Sequence, residues 1–266
     1  MMSVNLGPGD YERALTAIGL NDINVFHRQT TGSTNDDARA SIGSGPSLLD
    51  TPVAIFVAEA QTRGRGRGSN AWSSPKGSIS LTITAPGVHV SRLGILPLGV
   101  GTAVVGALRA LGVSATVKWP NDVLIEGRKV CGILCESSLH SGIARVFIGI
   151  GINVEADSIE LEAAPRATAL SAHGLDVNRP ALVADITGRV LSLIHAAAPG
   201  PSVILDWKAV SVPWWGEAVR LIDGGTEKTV TLLDVNPEGQ LVVRDEAGIV
   251  RSLVSGEVRE IRVVSA

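Results

Sequence analysis

The sequence predicts an α+β fold, a mixed β-sheet with flanking helices followed by a small all-β barrel. Three observations carry this reading. Residues 115–154 hold four strand-like runs, ATVKW, DVLIE, KVCGILCES and ARVFIGIGINV, separated by the turn formers Pro120-Asn121, Gly127 and Ser141-Gly142. The stretch from Leu93 to Leu108 is apolar on all sides, as a buried core helix must be. After Pro213-Trp214-Trp215 the pattern shortens to alternating runs (AVRLI, TVTLLDV, QLVVRD, VRSLV, VREIRVV) broken by AspGlyGly, AsnProGluGly and GluAlaGly, the pattern of a barrel of about 50 residues. The expected division is a larger unit over 1–212 and the barrel over 213–266.

Taken in order, Asp10 to Leu20 reads as a short helix and Asn24 to Gln29 as a strand. Ser33-Thr34-Asn35 then offers hydroxyl and amide side chains suited to cap a helix running to about Ile42. Val53 to Ala58 is β-branched and apolar, a buried strand. Gln61 to Lys76 lacks periodicity and is rich in Gly, Arg and Ser, so it reads as a long loop. Strand character resumes over Ser78 to Thr84, where Ile79, Leu81 and Ile83 alternate with Ser80, Thr82 and Thr84. The core helix is expected over about Arg92 to Leu111. A polar, alanine-rich connection from Ala156 to Ala172 leads to a helix opened by Pro180, and a further helix spans about Ser202 to Val210.

Composition excludes several function classes. The 266 residues are 45% hydrophobic and 18% charged, and 23 basic against 26 acidic residues give a formal charge of −3. Nucleic-acid and anionic-membrane binders ordinarily carry the opposite balance. Five Trp, one Tyr and three Phe are few rings from which to build a base-stacking surface. No basic segment followed by an apolar one marks a secretory signal, and the Leu93–Leu108 stretch falls short of the ~20 residues that span a bilayer. Cys131 and Cys135 lie on one expected strand, ~13 Å apart at ~3.3 Å per residue, beyond the ~7 Å a disulfide tolerates. They read as small buried hydrophobes, and the expected address is cytoplasmic.

Three segments place donors and charges in glycine-rich or turn contexts. In QTRGRGRGSNAW, residues 61–72, arginines alternate with glycines that free the backbone, so guanidiniums and N–H groups together suit an anionic ligand. The GlyLysSer/Thr that closes a Walker A loop is absent. In KWPNDVLIEGRKVCGIL, residues 118–134, Asn121 and Asp122 occupy a turn, and Lys129 opens a core strand on which its charge needs a partner or water. Strict alternation there places Lys129, Cys131 and Ile133 on one face and Gly132 on the other. In IGIGINV, residues 148–154, Gly149 and Gly151 share a face and clear a flat slot.

Together these segments resemble the biotin protein ligase family: SerThrAsn at 33–35, Gln61-Thr62 ahead of GRGR at 64–67 with Trp72 beyond, KWPND at 118–122, GRKVCGIL at 127–134, IGIGIN at 148–153 and SGEV at 255–258. The order and spacing of these motifs over nearly the whole chain make the resemblance specific. One departure is that Gly68, Ser69 and Asn70 follow GRGR, where the family carries a further arginine before its tryptophan. Ser33 also stands too early for the amino-terminal winged helix of the dual-function members, so repressor activity is not expected.

The resemblance implies a class II aminoacyl-tRNA synthetase-like (SH2-like) catalytic domain with an SH3-like barrel. It implies ATP-dependent formation of biotinyl-5′-adenylate and transfer of biotin to a lysine of a biotin carboxyl carrier domain, without DNA or membrane partners. Lys129, Arg65 and Arg67 are the implied catalytic residues. Biotin would be met by these three with Ser33, Thr34, Asn35, Gln61, Gly64, Gly66, Gly132, Ile133, Gly149 and Gly151. The nucleotide would be met by Arg67, Trp72, Lys118, Asn121, Asp122, Asn153 and Thr168, with Mg²⁺ held mainly by phosphates and Asn121 or Asp122 as further candidate ligands. Residues 156–168 would fold over the adenine, and Trp207, Trp214 and Trp215 would pack between domains. A lipoate protein ligase shares the adenylation chemistry but not the QT-x-GRGR and KWPND pair. An RNA-binding protein using the arginine loop, and a catalytically idle binding module, are the readings from other classes.

Overall fold

The computed structural model describes residues 6–42, 50–155, 166–196, 200–223 and 225–260. The elements run α1 (Pro8–Ala17), β1 (Asn24–Arg28), α2 (Thr34–Ile42), β2 (Ala54–Ala58), β3 (Ser78–His89), α3 (Leu96–Ala110), β4 (Ala115–Lys118), β5 (Asp122–Ile125), β6 (Arg128–His140) and β7 (Ile143–Asn153). Then follow α4 (Arg179–His195), α5 (Gly200–Ala209), β8 (Ala218–Asp223), β9 (Thr226–Val235), β10 (Leu241–Asp245), β11 (Val250–Leu253) and β12 (Glu257–Glu260). The first seven strands form one sheet in the order β1-β2-β3-β7-β6-β5-β4. Its β1–β2 pair is parallel and its other pairs are antiparallel, so the sheet is mixed. The last five strands form a second, antiparallel sheet ordered β11-β10-β9-β8-β12.

Period-two alternation explains how the first sheet is covered. On β7, Ile148, Ile150 and Ile152 turn into the main core, where they join Ile79, Leu81 and Ile83 of β3 and the apolar residues of α1, α3 and α4. On the opposite face, Ala54, Phe56 and Phe147 meet Ala38 of α2 in a smaller cluster. This second face continues along β7 as Gly149 and Gly151, opposite Thr82 and Ser80 of β3 and Leu134 and Gly132 of β6. Asn35 of α2 covers the Thr82–Gly149 end of this strip, and a cavity opens over its glycines.

One expected facing is corrected. β6 and β5 fall out of step between Val123 and Leu124: Val123 pairs with Cys131, but Leu124 pairs with Lys129. Val130 is therefore an extra, bulged residue, and the alternation reverses across it. Cys131 and Ile133 stay in the core, whereas Lys129 joins Gly132 on the cavity face, where a Cβ on Gly132 would lie 3.3 Å from Lys129 Cε. Both cysteines are free thiols, and burial pushes both up, Cys135 to about 12, so neither is a ready nucleophile.

The two sheets are joined by specific contacts. Val212 N–H donates to Val117 O (2.9 Å), and Gly216 N–H donates to Leu232 O (2.8 Å), so the chain changes sheets within four residues. Gly94 allows the 236–240 turn to approach closely, since a Cβ there would stand 2.6 Å from Glu238 O. The buried indole of Trp119 donates to Gly239 O (3.0 Å). Trp119→Phe is expected to leave that buried carbonyl unmet at a cost of about 1–2 kcal/mol, lowering Tm by roughly 3–6 °C at this chain length. An unchanged calorimetric midpoint would show that the bond does not hold the sheets together.

Candidate functional site

A cavity of about 910 Å³ opens on the glycine-bearing strip of the first sheet and extends to the edge of the second. Its floor is glycine. Gly149 meets Asn35 and Gly151 meets Trp72, for added Cβ atoms would lie 2.6 Å from Asn35 Oδ1 and 2.3 Å from Trp72 Nε1. The indole of Trp72 also covers Gly132, and its buried Nε1 has no hydrogen-bond partner among the described residues. Trp72 therefore lies in the flat slot that the glycines clear.

The motif at 33–35 forms one wall through a connected set of hydrogen bonds. Ser33 O accepts from Asp37 N–H (3.0 Å), starting α2. Thr34 N–H donates to Gln61 Oε1 (2.8 Å). The Thr82 hydroxyl donates to Asn35 Oδ1 (2.6 Å) and lies 2.8 Å from Thr34 Oγ1. Asn35 Nδ2 donates to Glu136 Oε2 (2.7 Å). Thr34, Asn35 and Gln61 thus line the cavity with fixed orientations, as recognition of a polar ligand requires.

The loop expected over Gln61 to Lys76 has internal order. Trp72 N–H donates to Gly64 O (2.9 Å), Gly66 N–H donates to Asn70 O (2.7 Å), and Arg65 pairs with Ala71 across a narrow hairpin. Its two inner arginines face different environments. Arg65 makes a forked pair with Glu136 (3.1 and 2.7 Å), and its Nη2 is also 2.9 Å from Asp36. Arg67 lines the cavity without an ion pair among the described residues. Burial holds its guanidinium below the usual range, against the pull of the Asp122 charge.

Lys129 and Lys118 share one carboxylate. Lys129 Nζ lies 2.6 Å from Asp122 Oδ1, and Lys118 Nζ lies 3.0 Å from Asp122 Oδ2. Burial alone would raise the Asp122 carboxyl, but the two ammoniums hold it below its ordinary range. Lys129 Nζ is also 5.3 Å from the Trp72 ring centre. The turn at Asn121 is tied to β6: Asn121 Nδ2 donates to Ile133 O (2.7 Å), and Ile133 N–H donates to Asn121 O (3.0 Å). The arrangement combines cationic donors with a slot for a flat group, suited to an anion carrying a ring.

Of the residues singled out in the sequence, Ser33, Thr34, Asn35, Gln61, Arg65, Gly66, Arg67 and Trp72 line this cavity. Lys118, Asn121, Asp122, Lys129, Gly132, Ile133, Gly149 and Gly151 line it too. Gly64, Asn153 and Thr168 lie outside its lining. Gly64 packs on the Trp72 carbonyl, and Asn153 Nδ2 donates to Thr168 O (3.0 Å), fixing the chain beside the start of β6. Residues 156–165, most of the segment expected to cover an adenine, lie outside the described residues. Trp207 and Trp215 pack edge to face at 6.0 Å, but Trp214 lines the cavity, together with Arg220 of β8. Sequence reasoning also passed over Glu136 and Thr82. Thr82 shows only as the polar half of an alternating strand, yet it is fully buried under α2.

Residues 48–153 match the Biotin/lipoate A/B protein ligase family. Over 245 residues the chain is 31% identical to the biotin–[acetyl-CoA-carboxylase] ligase of Mycobacterium tuberculosis, an alignment covering 87% of each. Among solved structures it is similar to the Aquifex aeolicus biotin protein ligase in complex with biotin and ATP, with a TM-score of 0.70, 25% identity, and coverage of 90% of this chain and 99% of that one. It is also similar to the Leishmania major biotin protein ligase in complex with biotinyl-5-AMP, with a TM-score of 0.61, 25% identity, and coverage of 87% and 98%. The identity shared with the mycobacterial ligase extends well beyond the matched motifs, and the chain belongs to the biotin protein ligase family.

Proposed function

We propose that this chain is an ATP-dependent ligase that adenylates biotin and passes the biotinyl group to a lysine of a biotin carboxyl carrier domain. The observation that carries it is the convergence of Lys129 and Arg67 on a glycine-floored slot in a chain of this family. In the first half-reaction a biotin carboxylate oxygen attacks the α-phosphorus of ATP, the bond to the bridging oxygen breaks, and pyrophosphate leaves. In the second, the neutral amine of the acceptor lysine attacks the acyl carbon, loses a proton, and expels AMP.

Each half-reaction asks for held negative charge and excluded water. Lys129 supplies a mobile ammonium, oriented by Asp122, to the carboxylate and then to the α-phosphate, and Arg67 supplies the second cation. Asn35, Thr34 and Gln61 offer the fixed polar wall for the ureido end of biotin. Lys118, Asn121, Asp122 and Trp72 serve the nucleotide side. Among the described residues no three His, Cys, Asp or Glu side chains cluster to hold a metal, and Asp122 already answers two ammoniums. This donor set does not fit a resident ion, and a Mg²⁺ accompanying the triphosphate would be held mainly by phosphate and water.

We further read the mixed sheet as the class II aminoacyl-tRNA synthetase-like domain over 1–212 and the five-stranded sheet as an SH3-like barrel over 213–266. The handover of hydrogen bonds between Val212 and Gly216 supports that boundary. The deciding experiment is ATP–pyrophosphate exchange with biotin or lipoate as the acid. Exchange is expected with biotin, and exchange supported by lipoate alone would overturn the reading.

A further inference from the structure

Arg65 belongs to the arginine-glycine loop, yet its guanidinium faces protein carboxylates. Nη1 and Nη2 reach Glu136 at 3.1 and 2.7 Å, and Nη2 also reaches Asp36 at 2.9 Å. Glu136 lies on β6, on the rigid sheet, and accepts a third bond from Asn35 Nδ2 (2.7 Å). Arg39, stacked 4.6 Å above the Phe147 ring, adds a longer contact to Glu136 at 3.6 Å. A forked, charge-assisted pair of this kind fixes orientation as well as distance.

We infer that Glu136 is a positioning residue that latches the arginine-glycine loop to the sheet through Arg65. The loop is a hairpin closed by the Trp72–Gly64 and Gly66–Asn70 bonds, so a tether at Arg65 also sets where Arg67 and Trp72 stand. Arg65 is then the tether, and Arg67 is the arginine left to meet ligand. The same carboxylate holds Asn35, so one residue couples the loop to the polar wall opposite it. Burial alone would raise the Glu136 carboxyl, but its bonds to Asn35 and Arg65 keep it below the ordinary range, so the latch carries its charge at neutral pH.

This inference rests on the biotin-ligase reading for its functional consequence but not for its structural one. The test compares Glu136→Gln, Arg65→Gln and the double variant in two assays. The first is tryptic cleavage after Arg67 in ligand-free protein, followed by mass spectrometry. The second is release of preformed biotinyl adenylate, trapped with hydroxylamine. Each single variant is expected to accelerate both by about tenfold, and the double variant by little more than the larger single effect, because both break the shared Arg65–Glu136 link. Wild-type cleavage in Glu136→Gln, or effects that multiply in the double variant, would overturn the latch. Cleavage spreading through the whole chain would also overturn it, because the carboxylate would then be supporting the fold. If wild-type protein formed no adenylate while loop cleavage still responded, the biotin reading would fail and the latch would stand.

Discussion

Replacing Lys129 with alanine is expected to lower biotin-dependent ATP–pyrophosphate exchange by about 10²–10³-fold, the scale of losing one preorganised donor to a developing anion. The ammonium is well placed for that task. It stands on a strand of the central sheet, is held 2.6 Å from Asp122, and lies beside the indole that fills the slot. The loss should fall on the chemical step more than on ATP affinity, because Lys118 remains to answer Asp122 and to hold the turn. With about a third of its side chain exposed, Lys129 contributes little to the fold, so the thermal midpoint should barely move. Exchange at the wild-type rate in a folded variant would remove Lys129 from the mechanism. Lys129→Arg should recover only part of the activity, since a planar fork replaces a compact charge that must serve two oxygens in turn.

How Lys129 reaches the site shows where the sequence is legible. That a lysine opening a core strand needs a partner follows from charge and burial alone, and Asp122 is that partner. Its facing was not legible, because strict alternation assigns it to the side of Cys131, and only the bulge at Val130 turns it toward Gly132. A bulge depends on the register of two paired strands, which no single segment specifies. The same limit applies to Glu136, which is 71 residues from Arg65 in the chain and lies within an ordinary strand run. Local patterns gave the sheet strands, the helix start after Ser33 and the slot glycines, because turns, helix starts and alternation act over a few residues. The pairing of loop with sheet and the placement of Trp72 over the slot depend on tertiary closure. Polar Ser80 and Thr82 show the difference: alternation marks them as one face of a strand, but not that this face is buried beneath a helix and the arginine loop.

Gly151→Val should cost ligand affinity without costing the fold. Gly151 sits between Ser80 of β3 and Gly132 of β6 in regular pairing, and valine suits an interior strand better than glycine does. Its first added atom would meet Trp72 Nε1 at 2.3 Å and Cε2 at 2.4 Å. The indole must move out of the slot, and the branched side chain then takes the space a flat ligand group would use. Overpacking of about 1–3 kcal/mol, transferred to the bound state, corresponds to roughly a 5- to 150-fold weaker complex. Calorimetric titration with biotin, and with biotin plus a non-hydrolysable ATP analogue, measures this directly, while thermal unfolding shows whether the sheet has kept its stability. Gly149→Ala is a useful companion because its Cβ would press on Asn35 Oδ1 at 2.6 Å and disturb the Glu136 network instead of the indole. If Gly151→Val bound both ligands as wild type does, the strip beneath Trp72 would not be the binding surface, and the glycines would have to be explained by the packing of Trp72 alone.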